Sequence, residues 1–377
     1  MTAYQQVIDI FAAHTAEGVD GGVAMCLWTD DGPAVSLTAG HTARTPDSPA
    51  WTESTLVPVW STTKGPAAAT LLTALFAEQL SLSTPVRHVW PELGVDVTFA
   101  QMLSHQAGLA ALDVETSVFD HEAAVIALER QTPNWTPGTR HGYHPRTFGV
   151  LLDECVRRLT GARLGEVWRH RIADPLELDV WIGVPESETN RIAAVSPGKP
   201  SQRLEEKAFV AAFSDAHSLT RRAFSSLRGL NAVSEFNRPE ARALGQPAFG
   251  GFASAVGLAR FYHALATGAG GVFPTAVREA AATTLVDGDD AVLLMPTSFT
   301  AGFQKDPVRP DGEKRRHHYG PSHRAFGHPG AGGSLAFADP GRRTGFAYVL
   351  NLIAPGVMPG QNALSLVQAC SQAHSKS

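Results

Sequence analysis

Cysteine is scarce in this chain, and what little there is builds no framework. Three cysteines stand in 377 residues, at Cys26, Cys155 and Cys370. An odd number spread so far apart argues against a disulfide scaffold and for a reducing compartment, the cytoplasm. Charge is sparse as well: 18% of residues are charged and the net charge is -5, so there is no basic field to hold nucleic acid or an anionic membrane surface. No uncharged apolar run approaches the length of a membrane span. The opening residues, MTAYQQVIDIFAAHTAEG, lack the basic start, apolar centre and small-residue cleavage site of a secretory signal. They are patterned instead as an amphipathic helix with Val7, Ile8, Ile10 and Phe11 inward. Internal repeats and low-complexity tracts are missing too. Fifteen histidines are present, yet neither His317, His318, His323 and His328 nor His141 and His144 form a compact ligand motif with a carboxylate. No metal and no cofactor are therefore expected, and small neutral molecules are the expected partners.

Hydrophobic residues make up 44% of the chain, enough for one large or two interleaved domains with a substantial core. Residues 22–28 and 34–39 predict two antiparallel strands around the Asp31-Gly32 turn. From 80 to 181 helical periodicity dominates. Thr98 predicts a cap for a short helix through Leu103, and Phe148, Leu151, Leu152, Cys155, Val156 and Leu159 form an apolar stripe ended by Gly161. The polar, arginine-rich stretch 185–247 reads as loops and short helices, a flap over a cleft. A helix is expected over 254–267 and another from Pro274. The period then changes to that of strands, at 299–304, 334–338 and 344–350, with 306–323 as an exposed loop and Asp339-Pro340-Gly341-Arg342 as a tight turn. A helix over 362–373 closes the chain. Strands at both ends with helices between them predict an α+β fold. An antiparallel sheet is built from both termini, 1–66 and 246–377, and flanked by helices; a mainly helical domain, 67–245, is inserted, with the active site at their interface.

Three short motifs can carry chemistry. Ser61 and Lys64 in Trp-Ser-Thr-Thr-Lys are three residues apart, so on one helical turn their side chains share a face. A serine hydroxyl needs a base within reach, and a lysine serves only if burial or a neighbouring cation lowers its pKa. The uncharged stretch 67–77 beyond it, with Leu71, Leu72, Leu75 and Phe76, predicts a buried helix that would leave Lys64 at the edge of a dry region. Pro66 implies that this helix begins irregularly. Because serine and lysine at this spacing also occur by chance, the neighbours decide. Tyr143 follows the Pro137-Gly138 turn and precedes Pro145 at the entrance of a helix, where it either projects into a cleft or packs its ring on the core. His328-Pro329-Gly330-Ala331 opens a strand after Phe326. Its glycines either let a ligand or backbone approach closely or form a plain loop with an incidental histidine. Trp60, Trp135 and Trp181 can shape an aromatic pocket or fill the core.

In this order and at these separations, the three motifs resemble those of the serine β-lactamase and penicillin-binding-protein superfamily, with His328-Pro329-Gly330 standing where Lys-Thr-Gly is usual. Met102-Leu-Ser-His-Gln-Ala-Gly-Leu109 resembles that superfamily's Leu-Leu-x-His-x-x-Gly-Leu segment. The likeness covers nearly the whole chain and is nearest the class C-like branch that contains family VIII carboxylesterases and related acyltransferases. It implies a β-lactamase/transpeptidase-like fold and acyl transfer through an ester of Ser61. Lys64 and Tyr143 would share the proton traffic, the lysine's charge lowering the phenol's pKa. The backbone N–H groups of Ser61 and Ala331 would hold the oxyanion. His328, Gly330, Trp60 and Trp135 are the candidate substrate contacts. Two departures bear on substrate: Tyr-x-Asn is replaced by Tyr143-His144-Pro145, which removes the amide that would bind a β-lactam side chain. His328 replaces the cation that would meet a carboxylate. A cytoplasmic serine hydrolase of small uncharged carboxylic esters is expected. Transfer of the acyl group to an alcohol or amine would use the same mechanism. A β-lactamase, a D-peptidase, a non-catalytic binding protein and a metal hydrolase compete with it less well.

Overall fold

An eight-stranded sheet drawn from the two ends of the chain carries the architecture of the computed structural model, which describes residues 4–16, 21–45, 47–199 and 204–374. Strands β1 (Gly22–Thr29) and β2 (Gly32–Gly40) come from the first part. The last part supplies β3 (Val286–Asp289), β4 (Pro296–Phe299), β5 (Gln304–Lys305), β6 (Phe326–Pro329), β7 (Leu335–Asp339) and β8 (Thr344–Leu350). Their order in space is β2-β1-β8-β7-β6-β5-β4-β3, and all neighbours are antiparallel. The two ends of the chain meet at β1 and β8, with Val23 opposite Leu350 and Trp28 opposite Gly345. The fold is thus α+β, as the order of elements predicts.

Side chains alternate between two covered faces of this sheet. Ala24, Cys26, Ala336, Ala338 and Ala347 enter the larger core, which also holds helices α2 (Lys64–Ala77), α3 (Thr147–Thr160) and α4 (Ala255–Thr267). These residues are small because α4 lies close against the sheet: a Cβ on Gly345 would sit 2.0 Å from the carbonyl oxygen of Ala259. On the opposite face Val23, Met25, Leu27, Leu335, Phe337, Phe346 and Tyr348 are bulky. They pack on Val7 and Phe11 of α1 (Gln5–Thr15) and on Leu366 and Val367 of α5 (Gln361–His374). In α1 only the 7/11 stripe is buried, while Ile8 is exposed and Ile10 half-buried. The expectation of four inward residues fails there because a helix on a flat sheet buries a narrower arc than its apolar content suggests.

Elsewhere the local signals act as their chemistry dictates. Thr98 and Gln101 form a reciprocal capping box at the start of Phe99–Leu103, and α3 ends at Gly161 with φ 77°. Ser254 caps α4 by accepting from Gly257 N. The stretch 80–181 is less uniformly helical than its periodicity implies, because short helices alternate there with irregular chain and it ends in the strand Val180–Ile182. That strand joins Gly251–Ala253 and Val57–Pro58 in a three-stranded sheet just ahead of Ser61. Residues 185–199 and 204–247 form short helices and loops, with short strands at Ser196–Pro197 and Leu227–Arg228 that the expectation did not include.

Two expectations need correction. The expected strand 299–304 holds only at its ends: 300–303 is a turn between β4 and β5, because Gly302 takes φ 93° and Thr300 N–H bonds back to Phe303 O. The loop 306–323 is pinned to the core: Lys314 Nζ lies 3.0 Å from Asp306 Oδ2, both side chains are buried, and Asp306 also accepts from the N–H groups of His318 and Tyr319. No described helix is long and apolar enough to cross a membrane. Among the described residues no group of three His, Cys, Asp or Glu side chains could hold a metal ion.

Candidate active site

Ser61 lies on a tight 3-10 turn, Trp60–Thr63, whose last residue abuts the first residue of α2, Lys64. The irregular start implied by Pro66 is this turn. Trp60 adopts φ 44°, a left-handed conformation that a tryptophan holds only when its surroundings impose it. They do so through Thr63, whose hydroxyl donates to Trp60 O and accepts from Gly251 N, and through Val59 N, which donates to Gly251 O. The Trp60 ring leans on Phe236 at 4.9 Å. A strained residue directly before Ser61 fixes the direction in which the serine points.

Lys64 is fully buried, and its amine is held on three sides. Nζ donates to the carbonyl oxygens of Pro145 at 2.9 Å and Ala248 at 2.8 Å and lies 3.3 Å from Ser61 Oγ. It also sits 4.7 Å from the centre of the Tyr143 ring. Burial first, and then the charge of Arg146, holds this amine well below the ordinary lysine pKa. A free amine has two N–H bonds and one lone pair. With both N–H bonds directed at carbonyls, the lone pair is left for the serine hydroxyl.

Tyr143 is buried with its ring between Phe299, His105 and His328, at 6.2, 5.1 and 5.8 Å. Its backbone N–H is gripped by both carboxylate oxygens of the buried Asp290, which also takes the N–H groups of Val292 and Leu293 and the hydroxyl of Thr297. Among the described residues no hydrogen bond to the phenol has ordinary geometry, although the Ser61 hydroxyl lies close enough to oppose the rise in pKa that burial causes. The expected lowering of the phenol's pKa by the lysine is thus reversed: burial raises the phenol and lowers the amine, because desolvation disfavours both charged forms at once. Helix α3 begins at Thr147, so Pro145 precedes it and offers its carbonyl to Lys64 in place of a helical role.

The glycine-rich end of β6 is tied to the serine's turn. Thr62 Oγ1 donates to His328 O at 3.3 Å, and Ser334 Oγ donates to Val59 O at 3.2 Å. Gly330 packs so closely that a Cβ there would lie 2.1 Å from Ser334 Oγ and 2.3 Å from Val59 O, so its role is close packing. The N–H groups of Gly330, Gly332 and Gly333 all bond to carbonyls. Ala331, between them, makes no such bond among the described residues and is partly exposed. His328 is buried: its Nδ1 donates to Pro329 O at 2.7 Å, its Nε2 has no partner among the described residues, and burial pushes it down to about 3. His144 spends both ring nitrogens on the protein, donating to Gly142 O and accepting from Leu109 N.

Ser61, Lys64, Tyr143 and His328 thus come together from three distant parts of the chain. Trp60 flanks them, whereas Trp135 is a buried strut that donates from Nε1 to Arg140 O and meets His144 edge-on. Sequence reasoning missed Asp290, Arg146 and Thr62. Thr62 and Ser334 stand inside or beside the three motifs, but Asp290 lies in a hairpin with no motif of its own. Two surface clefts, of about 580 and about 110 Å³, share Asp153, Arg163 and Leu244 and include none of the four site residues.

Comparison with known proteins shows the family of the chain. The Beta-lactamase family model matches residues 7–369. The chain is 28% identical, over 93% of its own length and 82% of the relative's, to the esterase/beta-lactamase LipL of Mycobacterium tuberculosis. Among solved structures it is similar to a penicillin-binding protein homolog from Caulobacter crescentus, at 32% identity and TM-score 0.83 over 99% of this chain and 98% of that one. It is also similar to a family VIII carboxylesterase, at 28% identity and TM-score 0.85 over 99% and 98% of the two chains. EstA from Arthrobacter nitroguajacolicus is 29% identical with TM-score 0.83 over 99% and 97%.

Proposed function

The chain belongs to the Beta-lactamase family, and from the chemistry of its site we propose that it hydrolyses small uncharged carboxylic esters through an acyl-Ser61 intermediate. The observation that carries this reading is the Lys64 amine, fastened to two carbonyls and 3.3 Å from Ser61 Oγ. As Oγ forms its bond to the ester carbonyl carbon, Lys64 takes the hydroxyl proton. The N–H groups of Ser61 and Ala331 receive the oxyanion. Collapse breaks the bond to the alcohol oxygen, which takes a proton from the neutral phenol of Tyr143. The ammonium and phenolate so formed return to the neutral pair by passing one proton, and water then repeats the sequence to release the acid. The two groups act as a unit.

Substrate charge follows from two side chains. His328 is neutral and offers a lone pair where Lys-Thr-Gly relatives have a cation, and His144 has no free nitrogen for an acylamino group. Both features weaken a β-lactam or peptide and leave ester chemistry intact, although one relative's name joins esterase and beta-lactamase. Divided as 1–66 with 246–377 and 67–245, the chain has its site at the junction of the two parts. Three buried unpaired thiols suit the cytoplasm. Intact-protein mass after exposure to a panel of activated esters tests the reading: one acyl group should be added, mapping to Ser61. Ser61→Ala should add none and lose ester turnover. An unmodified native protein, or a label elsewhere that persists in Ser61→Ala, rejects it.

A further inference from the structure

Arg146 is a buried arginine that no carboxylate neutralises. Its guanidinium donates to the carbonyl oxygens of Leu227, Gly229 and Leu230, at 2.5, 2.7 and 2.9 Å, and lies 4.7 Å from the centre of the Phe249 ring. Among the described residues no acid is within ion-pair distance of it. Glu235, which bears on its charge, has its carboxylate bonded to the N–H groups of Asn231 and Ala232. Burying an unpaired cation is costly, and three carbonyl acceptors only partly offset that cost.

The location of Arg146 gives the cost a use. Lys64 Nζ is caught between the carbonyls of Pro145 and Ala248. Pro145 is the residue before Arg146, and Ala248 precedes Phe249, on which the guanidinium rests. Phe249 in turn meets Phe236 at 6.3 Å, and Phe236 meets Trp60 at 4.9 Å, one residue before Ser61. Leu230, one of the carbonyls it holds, has φ 53°, so that turn too is kept in a conformation that needs holding.

We propose that Arg146 is a positioning residue for Lys64: it fixes the two carbonyls that hold the lysine amine and stands behind that amine as a permanent cation. The inference rests on the reading of Lys64 as the base of Ser61. The other titratable groups that face the amine are Tyr143 from its own loop, His105 and His144, and His328 from β6. Burial favours the neutral form of each. Arg146 is thus the fixed charge that adds to burial in holding the amine below the ordinary lysine value, and the direction of the Lys64 shift agrees with this.

The test is the pH profile of kcat/KM on 4-nitrophenyl butyrate, whose acid limb reports the base of the free enzyme. Arg146→Met should move that limb up by roughly half a pH unit or more. Arg146→Lys keeps the charge but loses part of the carbonyl clamp, so it should lower kcat/KM severalfold at every pH and leave the limb in place. Glu235→Gln removes the acid that partly offsets Arg146 and should move the limb down. Coincident limbs for Arg146→Met and the native enzyme overturn the proposal, and so does an equal shift in Arg146→Lys. If Arg146→Met does not fold by circular dichroism, Glu235→Gln decides, and an unmoved or raised limb rejects the idea. The proposed function fails separately, by absent native turnover or by turnover that survives Ser61→Ala.

Discussion

Replacing Gly330 by alanine tests whether the end of β6 must touch the serine's turn. Gly330 does not need glycine for its backbone angles, since it is absent from the residues with positive φ. The substitution is therefore a pure test of space. The new Cβ would lie 2.1 Å from Ser334 Oγ, 2.3 Å from Val59 O and 3.0 Å from Thr62 Oγ1. The serine hydroxyl can rotate away. The Val59 carbonyl cannot, because it is the main chain two residues before Ser61, and it is roughly 1 Å short of ordinary contact. Gly330 is itself held by its N–H bond to Ser334 O at 2.8 Å. Strand end and serine turn must then part by about that distance, carrying Ala331 N–H away from the position proposed for the oxyanion. Overpacking of this kind costs about 1–3 kcal/mol of stability, whereas losing one oxyanion donor costs about 3 kcal/mol of barrier, or roughly 100-fold in rate. The expected result is a folded protein with a modestly lower Tm and kcat/KM for a neutral aryl ester reduced about 100-fold. Adding Ser334→Ala removes the 2.1 Å contact but not the one at 2.3 Å, so it should restore only part of the rate. A Gly330→Ala variant within threefold of native kcat/KM would refute the reasoning about Ala331.

Acid should destabilise the fold well above the carboxylate range. Burial pushes His144 and His328 to about 3 and lowers His105 in the same direction, while an unfolded histidine titrates near about 6.5. Between those limits the unfolded chain holds the extra protons. The stabilisation is therefore complete above the unfolded value and falls as pH falls, by about 1.4 kcal/mol per pH unit for each histidine. Urea midpoints that are equal at pH 7 and pH 5 would contradict this. Anionic esters should be poorer substrates than neutral ones of the same shape by about tenfold or more, with the acid limb of kcat, which reports the enzyme–substrate complex, displaced upward. Equal kcat/KM for a hemisuccinate and a butyrate ester of the same alcohol would sink the assignment of His328.

What could be read in advance was whatever depends on neighbours along the chain. The capping box at Thr98, the end of α3 at Gly161, the strand β8 and the Ser61–Lys64 pair all sit in short windows whose chemistry is self-contained. The convergence of Ser61, Tyr143 and His328 was legible because three motifs in a fixed order resemble one family. Asp290 was not legible: it is 147 residues from the backbone N–H that it grips, and nothing about an aspartate in a hairpin announces a distant partner. The buried Lys314–Asp306 pair was missed for the same reason, since a charged, proline- and histidine-containing stretch has the composition of an exposed loop whether or not two of its charges turn inward. The raised pKa of Tyr143 was not legible, because charge–charge attraction can be argued from a motif, whereas burial of the phenol belongs to the assembled fold.

That burial also links the substrate's charge to the state of the base. A carboxylate bound beside Ser61 would favour the ammonium form of Lys64 and so remove the lone pair that accepts the serine's proton. In a relative with Lys-Thr-Gly, the motif lysine can oppose that field while it binds the anion. Here the corresponding residue is His328, held neutral by burial and with its one N–H already given to Pro329 O. The field of an anion would then be opposed mainly by Arg146, whose guanidinium is engaged with three carbonyls behind the Phe249 ring. The proposed selection for neutral esters is thus a condition for keeping Lys64 unprotonated, as well as a consequence of a missing contact.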